Sequence, residues 1–227
     1  MSAQIPLAFR FAPDQELLAF HGNPGLVELL GAVALEQASP WLYLSGPAGS
    51  GKTHLLLATC ARARAGGADA SYLPLPALAG RLGEALAGHA RAALVCLDGL
   101  EAIAGREADE VELFHFHNRA RAAGTRVLYA ASAMPAALGL VLPDLRSRLE
   151  QCTRIALEPL DEAGRREVLR QRANRRGLEL DDAVLDYLLR RVGRDLGSLT
   201  ALLDRLDRAS LAEQRRLTIP FLKSQGV

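Results

Sequence analysis

Short apolar runs at residues 41–45, 70–73, 93–98 and 126–132 alternate with longer stretches of helical period. The helical stretches begin near Leu26, Lys52, Ala77, Asp109 and Pro143, and a further short run at 154–157 supplies a fifth strand. Runs that are apolar throughout, with helices between them, predict an α/β fold: a five-stranded parallel sheet covered on both faces. The pattern changes at Glu158-Pro159-Leu160-Asp161, after which every apolar position follows a helical repeat. Asp161 is placed to cap a helix over 162–176 that Gly177 stops, Asp181 or Asp182 to cap a second, and Asp195 to open a third reaching Leu211. The expected organisation is a tail over 1–12, an α/β domain over 13–159, and a small all-α lid over 160–227.

The first run leads straight into Gly46-Pro47-Ala48-Gly49-Ser50-Gly51-Lys52-Thr53, and a helix follows. Backbone N–H groups converge on a polyphosphate only where glycines keep side chains out of the way, and the helix start adds partial positive charge. Lys52 is expected to neutralise the terminal phosphates and the Thr53 hydroxyl to join a magnesium shell. His54 follows the loop and reads as a packing residue at the nucleotide. The run at 93–98 ends in Asp98, the expected magnesium-side acid of a nucleotide hydrolase. A hydrolase acting on its own usually carries a second acid at the next position, where this chain has Gly99; Glu101 reaches the site only if the backbone turns appropriately, a large displacement for a geometry-limited reaction, so intrinsic hydrolysis is expected to be slow. Ser132, at the end of the following strand, either contacts a terminal phosphate or the attacking water, or serves as a turn residue before Met134-Pro135.

Composition narrows the setting. The chain has 227 residues, 49% apolar and 23% charged, with a formal net charge of +1, so bulk charge does not mark a nucleic-acid binder. Arginine doublets at 165–166, 175–176, 190–191 and 215–216 are interspersed with acids and read as solvated helix faces. Cys60, Cys96 and Cys152 lack metal or redox spacing; Cys60 and Cys96 read as small core residues, and an odd count suits a reducing compartment. His115 and His117 are two apart, a poor metal pair, and read as surface or edge positions. No secretory leader or membrane-length apolar stretch is present, so a cytoplasmic location is expected.

These parts in this order resemble the AAA+ ATPases, and more narrowly the DnaA initiator branch. The resemblance covers nearly the whole chain. It tightens at Leu142-Pro143-Asp144-Leu145-Arg146-Ser147-Arg148-Leu149, similar to the family's arginine-finger box, and at 206–210 and 217–221. It implies ADP or ATP with Mg2+ in the pocket, and it makes Arg148 a finger serving a neighbouring subunit's nucleotide, a role worth about 10³ to 10⁵ in rate. That geometry favours association of subunits. The opening Gln4-Ile5-Pro6-Leu7-Ala8-Phe9 is similar to the peptide by which bacterial proteins dock on the replicative sliding clamp, with Gln4 hydrogen-bonding and Ile5, Leu7 and Phe9 on the apolar side. Together these imply a negative regulator of replication initiation, with DnaA and the DNA-loaded clamp as partners.

Two departures accompany the resemblance. The family's second sensor arginine falls on Gly197, with Arg194 nearby as a substitute nucleotide contact. The helix-turn-helix domain that follows in DnaA has no counterpart before Val227, so direct origin recognition is not expected. Two other readings remain: a self-acting ATPase that loads or remodels a replication factor, as a helicase loader does, and a non-catalytic adaptor tethered at the clamp.

Overall fold

The computed structural model describes residues 16–37, 40–191 and 196–227, and the side chains of 196–200 lie outside that description. Five strands, β1 (Leu42–Ser45), β2 (Ala70–Pro74), β3 (Leu94–Asp98), β4 (Arg126–Ala131) and β5 (Thr153–Ala156), form one sheet in the order β2-β3-β4-β1-β5. Every pairing is parallel.

Period-two alternation sorts the strand residues onto two faces even though nearly all are apolar. Tyr43, Val95, Leu97, Val127 and Tyr129 belong to one core cluster. Leu42, Leu44, Leu94, Cys96, Leu128 and Ala130 belong to the other. Helices α1 (Pro24–Ala34) and α2 (Lys52–Ala65) cover the second face, while α3 (Leu82–Leu86), α4 (Glu107–Ala123) and α5 (Pro143–Glu150) cover the first. The region expected to begin a helix near Ala77 instead forms a single 3-10 turn, Leu75–Ala77, before the short α3.

The lid consists of α6 (Glu162–Arg175), α7 (Asp182–Arg191), α8 (Leu196–Glu213) and α9 (Ile219–Ser224). Asp161 caps α6 by accepting from Gly164 N, and Gly177 follows at φ +70°. Of the two acids proposed for the next cap, Asp181 does the work, accepting from Val184 N at 2.7 Å. Val184, Leu188, Leu206, Leu217, Phe221 and Leu222 make a separate apolar cluster, so the lid has its own small core.

Two polar side chains are buried where the pattern hid them. Arg126, read as a strand start, is 5% exposed and donates to the carbonyls of Ala93 and Val33 and to Glu36, tying the sheet to the end of α1. His117, read as a surface or edge position, is fully buried, its Nδ1 3.1 Å from the Tyr129 hydroxyl and its ring edge-on to Trp41. Helical period explains the error: His117 follows Phe116 and shares its inward side with Leu113 and Ala120, whereas His115 is exposed.

Candidate functional site

The loop at 46–53 leaves the C-terminal end of β1, beside β4, where consecutive crossovers depart to opposite sides; ligands of open parallel sheets bind at such points. Gly51 stands at the N-cap of α2 with φ +91°, and a Cβ there would lie 2.7 Å from the Phe20 ring. Glycine is therefore required both by the left-handed backbone and by the aromatic ring packed on it.

Lys52 Nζ donates to the carbonyls of Gly46 (2.6 Å) and Pro47 (2.8 Å) and approaches Ser50 Oγ at 3.4 Å, so its ammonium is held within the loop. Burial lowers its pKa, while the charges of Glu101 and then Asp98 pull it back up. Thr53 Oγ1 donates to Asp98 Oδ2 at 2.6 Å, and the Tyr72 hydroxyl donates to the same oxygen at 2.8 Å. Burial, reinforced by Asp98, raises the pKa of Tyr72, which stays a donor. Tyr72 was not legible as a site residue, because in sequence it is one more apolar-looking position of β2.

Thr53 and Asp98 bring two hard oxygens together beside the phosphate loop. That donor set fits Mg2+, which takes few protein ligands and fills its octahedron with water and phosphate oxygens. When bound, the ion neutralises charge on a polyphosphate. Among the described residues no cluster of three or more histidine, cysteine or carboxylate side chains offers a self-contained metal cage.

The structure contains the backbone turn on which the reach of Glu101 depends. Gly99 has φ +83°, and a Cβ at that position would meet Pro76 Cδ at 2.9 Å, so an acid there requires Pro76 to move. The 3-10 turn Leu100–Ala102 then swings Glu101 back, and its Oε2 accepts from the backbone N–H of Ser132 at 3.0 Å. Ser132 thus joins the site through its main chain.

A cleft opens beside the loop, lined by Phe20, His21, Gly49, Ser50, Gly51 and His54 on one side and by Leu160, Val168 and Arg172 of the lid on the other. His54 Nε2 lies 3.1 Å from the carbonyl of Glu16, which fixes the segment carrying Phe20. Leu160, Val168 and Arg172 were not legible as site residues, since nothing local distinguishes them from other lid residues. Arg194 and the stretch Gln4, Ile5, Leu7 and Phe9 lie outside the described residues; Gly197 is in α8.

Arg148 occupies the last turn of α5, two residues before that helix ends. β5 begins at Thr153, which pairs with Leu42 at the start of β1 and donates to the carbonyl of Trp41 at 2.8 Å. The phosphate loop follows Ser45 at the other end of β1. Arg148 and the chain's own phosphate loop therefore sit at opposite ends of the sheet. The Arg148 side chain is half-buried and, among the described residues, has no hydrogen-bond or ion-pair partner. Its charge, with burial and Arg121 ahead of it, helps hold the His117 pKa down at about 4.

A phosphate loop at the switch point of a β2-β3-β4-β1-β5 sheet, followed by a helical lid, defines an AAA+ nucleotide-binding fold. The chain is similar in structure to domain III of the replication initiation protein DnaA from Thermotoga maritima, with a TM-score of 0.77, 21% identity, and 94% of this chain and 98% of that one covered. It is also similar to AMPPCP-bound DnaA from Aquifex aeolicus (TM-score 0.67, 24% identity, 90% and 71% covered) and to RuvB from Thermotoga maritima (0.65, 18%, 92% and 70%). Residues 161–225 match the family model of the Hda lid domain. The lid is thus similar to that of Hda, and the chain as a whole has the fold of DnaA domain III. Among the described residues no helix is long and apolar enough to cross a membrane.

Proposed function

We propose that this protein is a nucleotide-bound negative regulator of bacterial replication initiation that docks on the DNA-loaded sliding clamp through residues 4–9 and presents Arg148 to ATP held by DnaA. ADP or ATP with Mg2+ occupies the pocket of Gly46, Pro47, Ala48, Gly49, Ser50, Gly51, Lys52 and Thr53, with Asp98 on the metal side. The observation that carries the reading is the placement of Arg148: half-buried, without an ion-pair partner among the described residues, and at the far end of the sheet from its own phosphate loop. A guanidinium so placed serves a neighbour's nucleotide rather than its own. The Hda-type lid points to the same class of regulator.

Phosphate release from ATP-loaded DnaA, with clamp on DNA, tests this. Wild type accelerates release, Arg148→Ala abolishes the acceleration, and deletion of residues 4–9 removes its dependence on clamp. Full acceleration by Arg148→Ala sinks the finger.

A second reading, a self-acting ATPase of the helicase-loader kind, draws support from Glu101 at the end of β4. It requires turnover by the isolated protein that falls with Glu101→Gln.

A further inference from the structure

Glu110 is fully buried in the first turn of α4, and among the described residues it has no ion-pair partner. Its carboxylate is satisfied by main-chain donors instead. Gly105 N and Val141 N donate to Oε1 at 2.7 and 3.1 Å, and Leu142 N donates to Oε2 at 2.7 Å. The donors come from two separate loops. Gly105 ends the segment after β3, and Val141 and Leu142 lead into α5.

That second loop is the entrance to the helix carrying Arg148. α5 is eight residues long, begins with Pro143, and receives no side-chain cap from its N-cap residue Leu142. A helix this short is marginal and depends on what holds its ends. Leu145 and Leu149 bury one face, which fixes how the helix is rotated, but neither reaches its start. Glu110 holds the start from outside, across 32 residues of sequence. Its neighbour Asp109 accepts from Gly80 N at 2.7 Å and Arg106 Nε at 3.0 Å, anchoring the same end of α4 to the loop before α3. The start of α5 is therefore tied to a well-braced helix.

We propose that Glu110 is the positioning residue for Arg148: it caps α5 from α4 and so holds the guanidinium where a partner's nucleotide can receive it. This rests on the finger reading above. Glu110→Gln is close in shape but turns an amide N–H₂ toward main-chain donors. Leu142→Pro deletes one donor with Glu110 intact, at a residue whose backbone is extended, and Leu142→Ala run beside it accounts for the lost packing of the leucine on the core. Both variants are measured in three ways: amide exchange over residues 141–150, ADP binding in the protein's own pocket, and stimulation of ATP-loaded DnaA with clamp on DNA. We expect faster exchange over 141–150, unchanged ADP affinity, and maximal stimulation lowered by about tenfold or more, as misplacement of a catalytic group does, at an unchanged half-saturating concentration. Unchanged exchange, full stimulation, or a parallel loss of ADP affinity would each overturn the proposal. Arg148→Ala run alongside separates the two claims. If it retains stimulation, the finger fails; if it alone loses stimulation while Glu110→Gln keeps it, only the positioning role fails.

Discussion

Glu101 accepts a hydrogen bond of 3.0 Å from the backbone N–H of Ser132, joining the turn after β3 to the end of β4. On the expectation that Ser132 meets a terminal phosphate, the carboxylate occupies the donor in question, and a triphosphate would bring more negative charge beside it than a diphosphate would. Glu101→Ala is expected to raise ATP affinity relative to ADP by about fivefold, roughly 1 kcal/mol for one partly solvated charge. Competition of each nucleotide against a fluorescent analogue measures the ratio, and an unchanged ratio refutes the idea.

Tyr72 and Thr53 share one oxygen of Asp98, so the phenol holds the carboxylate oriented whether or not the threonine hydroxyl is engaged elsewhere. Tyr72→Phe should cost about 1.5 to 3 kcal/mol, typical of a hydrogen bond to a charged group. Denaturant unfolding reads the loss, and Mg2+-dependent nucleotide affinity should weaken with it.

Arg126 donates to two carbonyls and one carboxylate from a buried position. Arg126→Ala removes three charge-assisted hydrogen bonds from a buried position, although Ala93 O and Val33 O each keep a backbone donor, and is expected to destabilise the protein by about 3 kcal/mol. Glu36→Ala should cost far less, because Glu36 is mostly exposed and its partner keeps both carbonyls. Equal effects of the two variants would show that the ion pair, not the carbonyls, carries the energy.

His117 titrates near pH 4 in the folded protein, against an ordinary value of 6.5, because burial and then Arg121 and Arg148 disfavour its cation. Between those values the unfolded chain binds the proton and the folded chain does not, so stability falls as pH drops from 6.5 toward 4. The full contribution is on the order of 3 kcal/mol. Melting temperatures of wild type and His117→Phe across this range should converge as the pH is lowered, since the variant lacks the titration. Parallel curves would exclude His117 as the source.

How far the molecule could be read from its sequence depends on the reach of each interaction. The phosphate loop, the five strands and the caps at Asp161 and Asp181 lie within a few residues of what they act on, so local pattern sufficed. Tyr72 meets Asp98 across 26 residues, Glu110 meets Val141 across 31 and Arg126 meets Val33 across 93. Each pairing is made by strand order and helix placement, which no local spacing records. Gly99 shows the same limit in reverse: its backbone turn decides where Glu101 arrives, and no spacing in the sequence records that turn.

Arg148 and the residues 46–53 mark the two ends of a single sheet, which gives the molecule a direction. A two-fold pairing that brings guanidinium to phosphate does so twice, in two reciprocal sites that use up both ends; a head-to-tail contact makes one such site. In such a contact one protomer gives and the next receives, and each keeps one unused end. A chain of this kind capping a row of related subunits engages the row from one side only, so its orientation decides whether the contact finishes the row or lengthens it.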